Sequence, residues 1–127
     1  MASEAIKHIS IDLDTVGASP VVFVHQGDTW RQIYCSIYMD GVRMEVSSST
    51  ETATYSAVLP DENGAITKQK NKSCTITDNQ VIVDLSKISI DGYGCGYITI
   101  KITSRADTSK HFRPNNIRLV IQRSADQ

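Results

Sequence analysis

The chain has 127 residues, a length that fits one domain, 1–127, with room for a core that needs neither disulfides nor a structural metal. Thirteen Lys and Arg stand against fourteen Asp and Glu, a formal charge of −1. That balance leaves no global field to attract nucleic acid or an anionic membrane, and 40% hydrophobic with 21% charged residues argues against a disordered chain.

β-Branched residues dominate: 15 Ile, 10 Val and 11 Thr against 4 Leu and 8 Ala. Their stiff χ1 angles suit a pleated surface and disfavour helix, so an all-β domain is expected. The opening MASEAIKHIS lacks a basic segment followed by an apolar one, and no apolar run approaches the ~20 residues of a membrane span. Synthesis in a reducing cytosol with Cys35, Cys74 and Cys95 as free, buried thiols is expected.

After an N-terminal arm (1–8), Ile9, Ile11 and Leu13 alternate with polar residues as a half-buried strand. Gly17 and Pro20 mark a turn, and Val21 to Gln26 reads as a second strand closed by Gly27-Asp28. Trp30 to Met39 is a third strand, with Ile33, Cys35, Ile37 and Met39 on one face. Asp40-Gly41 is a two-residue hairpin signal, and Val42, Met44 and Val46 continue beyond it. Residues 47–52 read as a polar loop. Ala53, Tyr55, Ala57 and Leu59 then form one face of a strand, and Pro60 to Gly64 a turn.

Residues 68–73 (KQKNKS) read as an exposed basic loop. Cys74 and Ile76 lead to a turn at Thr77 to Gln80, followed by alternation at Val81, Val83 and Leu85. Residues 86–92 suggest a short turn or helical crossover. Tyr93 to Thr103 is the clearest strand, with Ile98, Ile100 and Ile102 on one face. A long polar loop is expected over 104–116, then a strand at Ile117, Leu119 and Ile121 and a tail, 124–127. Seven to nine short strands punctuated by turns indicate a sandwich or barrel.

No reaction chemistry stands out. Gly92-Tyr93-Gly94-Cys95-Gly96 is glycine-rich but is followed by a strand, whereas a phosphate cradle opens a helix. His8, His25 and His111 are scattered, with no nucleophile signature and no metal-ligand spacing. No catalytic residue, metal site or cofactor motif is identified.

The order of segments over 9–123 resembles the N-terminal domain of bacteriophage baseplate upper proteins. The similar stretches are Ile9 to Asp14, and Pro20 to Thr29 with its Gln26-Gly27-Asp28 motif and Arg31 after it. They continue through Asp40-Gly41-Val42, the turn at Leu59 to Gly64, Val81 to Leu85, and Gly96 to Ile100. Members usually carry this domain on a longer chain. The resemblance implies an immunoglobulin-like antiparallel β-sandwich, without enzyme activity, that docks onto a larger phage assembly as one of many symmetric copies.

Baseplate or tail attachment is the leading expectation, with capsid decoration or a head fibre as the alternative location. The partners would be other phage structural proteins, with homo-oligomers and without nucleic acid or membrane. Two interface regions are expected: Gln26, Asp28, Trp30 and Arg31 in one, and Lys110, His111, Phe112 and Arg113 in the other. For both regions the competing reading is intramolecular, with Gln26 and Asp28 shaping a turn and Trp30 in the core. A module that binds host-surface sugars through Trp30 and Tyr34 is a further alternative.

Overall fold

The computed structural model describes residues 6–13 and 19–125. Asp14 and the Gly17 turn fall outside them. Among the described residues, ten strands follow in chain order: β1 (Ile6–Asp12), β2 (Val21–His25), β3 (Gln32–Met39), β4 (Val42–Arg43) and β5 (Glu51–Pro60), then β6 (Ile66–Thr77), β7 (Gln80–Asp84), β8 (Gly94–Ser104), β9 (His111–Phe112) and β10 (Ile117–Gln122). A 3-10 turn, Leu85–Lys87, supplies the short crossover after β7. The fold is all-β, as expected. Ten strands exceed the seven to nine anticipated because β4 and β9 are two residues each.

The strands run β1-β3-β7-β6-β5-β8-β10-β2 in space. β6 is shared between two layers. Its first part pairs with β5 in a back sheet, and Thr75, Ile76 and Thr77 pair with β7 in a front sheet. The alternating apolar residues of both layers meet in one core. The front sheet contributes Ile11, Ile33, Cys35, Ile37, Val81 and Val83. The back sheet contributes Tyr55, Leu59, Ile98, Ile100, Ile117 and Leu119.

The sheet is mixed, not wholly antiparallel. β1 runs parallel to β3 and β2 runs parallel to β10. The chain leaves the front sheet after β1, forms β2 in the back sheet and returns for β3. Alternation encodes which side chains point inward but not strand direction, so the sequence carried no sign of these parallel pairs.

Both two-residue hairpin turns have positive φ at their central pair, Asp40 (51°) with Gly41 (78°) and Asp78 (50°) with Asn79 (61°). That is type I′ geometry, whose twist matches the flanking strands. After the first turn the strand is shorter than expected. Val42 is exposed, and the chain turns aside at Val46, whose N–H donates to Asn79 Oδ1 at 2.6 Å.

The basic stretch 68–73 is strand, not loop. It forms the middle of β6, and its ladder to β5 shifts register between Tyr55 and Ala57. Asn71 takes the left-handed conformation (φ 56°) at this bulge. The stretch has few apolar residues because most of its positions are exposed. Within 104–116, His111 and Phe112 also pair, with Thr103 and Ile102. Strand β1 begins at Ile6, inside the segment anticipated as an arm.

Candidate docking surface

The turn between β2 and β3 is built by its own polar side chains. Asp28 Oδ2 accepts from the His25 N–H at 2.9 Å, and the Asp28 N–H donates to the His25 carbonyl at 3.1 Å. Arg31 lies beside Asp28 (3.8 Å), and its Nη2 donates to the Phe23 carbonyl at 3.5 Å. The Arg31 Nε is buried without an acceptor. Gln26 Nε2 donates to the Asp91 carbonyl at 2.8 Å, and the Gly27 N–H to the Ile90 carbonyl at 2.8 Å.

The anticipated contact residues Gln26, Asp28 and Arg31 therefore act first as internal braces. They tie the turn to the segment before β8 and occupy polar groups along the free side of β2. Trp30 behaves differently. It is 65% exposed, so the core alternative for Trp30 does not hold. Tyr34 is half-buried in β3, with its ring 5.1 Å from that of His8.

The second anticipated region divides in two. Lys110 and Arg113 are exposed, and His111 points outward opposite Thr103. Phe112 turns inward against the core beside Ile102. With Met44, Val46 and Ile102 it lines an open cavity of about 500 Å³ that Glu45, Glu51 and Lys110 also border. The two regions sit at opposite ends of β8, since β2 joins through β10 near Gly94 whereas His111 pairs at Thr103. Nine residues of strand separate them by ~30 Å, so they do not form one site.

The glycine-rich stretch serves packing. Gly96 lies where a Cβ would run into the Val58 carbonyl oxygen, and a Cβ on Gly92 would run into the Asp61 carbonyl oxygen. Gly94 holds a φ of 126° at the start of β8. The stretch leads into strand β8 and opens no helix, as its sequence context indicated. The three imidazoles stand on separate strands, β1, β9 and the end of β2. Among the described residues, no group of three or more His, Cys, Asp or Glu is arranged to hold a metal.

Sequence reasoning missed the outward side chains of β2. Val21 is 40% and Phe23 57% exposed. The available signal was the run Val21-Val22-Phe23-Val24, apolar at both parities, although one face of an outer-layer strand must meet solvent.

These features define a class: a two-layer, mixed β domain with braced turns and exposed aromatics on its loops and outer face. A solved example is the N-terminal domain of phage TP901-1 ORF48. Its structure is similar with a TM-score of 0.59 at 10% sequence identity, over 92% of this chain and 98% of that one. At that identity the likeness is one of fold, and it agrees with the fold resemblance drawn from the segment order. No family model matches the sequence, and no curated protein matches it.

Proposed function

We propose that the chain is a non-enzymatic structural module of a phage particle. It docks onto a larger assembly at the baseplate or tail and joins neighbouring phage structural subunits there. The carrying observation is the likeness to a phage protein domain along nearly the whole of both chains. The segment-order resemblance to baseplate upper proteins points the same way. Exposed Trp30 on a rigidly braced turn suits a contact anchor, because an aromatic held in place loses little freedom on docking. Lys110, His111 and Arg113 offer a second, polar contact at the far end. Several symmetric copies would multiply such modest contacts into firm attachment to the virion.

The test is quantitative mass spectrometry of purified particles encoded with this chain. A fixed copy number per particle is the expected result, in multiples of six for a tail or baseplate position. Copy numbers in the hundreds would move the module to the capsid. Absence from particles would end the proposal.

A further inference from the structure

The outward positions of the back sheet form a surface that lies mostly outside both candidate regions. Strand register fixes its rows. One row crosses Lys68, Val58, Tyr97, Arg118 and Val21. On one side of it lies the row Cys95, Val120 and Phe23. On the other lie Ser56 and Thr99 with Lys70 beside them, then Thr54 and Lys101.

Charge on this surface is segregated. Four cations, Lys68, Lys70, Lys101 and Arg118, project from it. Among the described residues, no Asp or Glu takes an outward position on the back-sheet strands. Yet the whole chain holds slightly more acid than base. Tyr97, 43% exposed, stands between two open clefts of about 480 and 230 Å³. Arg118 borders the first, and Lys68 and Lys70 border the second. Toward β2 the surface becomes apolar through Val120, Val21 and Phe23.

We propose that this outer face of the back sheet docks an acidic protein surface with an apolar flank, carried by a neighbouring subunit. The inference rests on the docking function proposed above and deepens it by naming the face and the chemistry of its partner. Three arguments select that occupant. A second copy meeting this face by the same face would set cation against cation. A flexible polyanion would use the lysines but leave Val21, Phe23 and Val120 in water. A folded protein surface with carboxylates beside an apolar flank satisfies both halves. The face presents roughly twenty outward residues, within the ~20–30 a side of a standard interface.

The experiment adds purified chain to particles assembled without it and measures rebinding by co-sedimentation. Wild type should rebind, more weakly as NaCl rises. Lys68→Glu with Arg118→Glu, on either side of Tyr97, should weaken rebinding about tenfold or more. Phe23→Ser should do so without changing the salt dependence. Glu62→Lys, on an exposed turn, should leave rebinding unchanged. Urea midpoints matching wild type confirm that these surface variants fold. Full rebinding by Lys68→Glu with Arg118→Glu overturns this inference and leaves the docking function intact. No rebinding by wild type overturns both. A parallel titration with a single-stranded oligonucleotide guards against a polyanion site: tight binding lost in the same variants, with particle binding retained, also overturns the inference.

Discussion

Three weak acids at the core tie stability to alkaline pH. Burial pushes the Cys35 thiol far up, and the nearby Cys74 adds to it. Burial raises Cys74 to about 12, with the Lys87 ammonium opposing in part. The Tyr55 phenol, which donates to the Asp84 carbonyl, is also pushed up, mainly by burial. Each group is neutral in the fold, and its folded value lies above its unfolded one. Their stabilisation is therefore fully present below the ordinary thiol value of 9.0 and is lost as pH rises from there toward about 12. Denaturant titrations at neutral pH and near pH ~10.5 should show this fall, with a shallower decline in Cys35→Val. An identical decline in the variant would contradict the assignment. Gly96 sets a steric constraint of a different kind. Gly96→Ala drives a methyl into the Val58 carbonyl and should cost about 1–3 kcal/mol in urea unfolding, whereas an unchanged midpoint would show that β5 and β8 part freely.

Among the described residues, β2 sits at the outer end of the back sheet and pairs only with β10. Open edges invite other chains. Here Asp28 takes the His25 N–H and Arg31 takes the Phe23 carbonyl, so the turn that follows the strand blunts the edge. Asp28→Ala should cost about 1 kcal/mol and also increase concentration-dependent association relative to wild type in light scattering. Unaltered stability and mass would reduce Asp28 to a surface residue. The Gln26-Gly27-Asp28 signature, with Arg31 beyond it, was legible as a turn. Its action on the neighbouring strand edge was not, because that depends on where the chain folds back. β6 shows the opposite case. KQKNKS lacks an alternating apolar signal, and only pairing with β5 and the Asn71 bulge make it strand.

For the whole molecule, the two anticipated contact regions lie at opposite ends of the back sheet, with the cationic outer face between them. Under the proposed function, this arrangement separates folding from docking. Trp30→Ala should leave unfolding within about 0.5 kcal/mol of wild type, since its ring is mostly in solvent, while particle attachment falls roughly tenfold or more. Equal attachment by the variant would remove Trp30 from the interface. The near-neutral net charge argued against nucleic acid and an anionic membrane as partners. A whole-chain sum carries no information on a local face, because β6, β8 and β10 bring Lys68, Lys101 and Arg118 together from distant parts of the sequence.

The sequence by itself determined the all-β class, the inward residues and most turns, since those follow from local alternation and from residues that accept positive φ. Ile98, Ile100 and Ile102 announce a buried face wherever their strand is placed, and Asp40-Gly41 closes a hairpin without help from distant groups. Tertiary structure alone decided which strands lie side by side, the parallel pairs at both outer ends, and the gathering of like charges on one outer face. Those features arise from contacts between segments remote in the chain, and no local pattern of side chains encodes them.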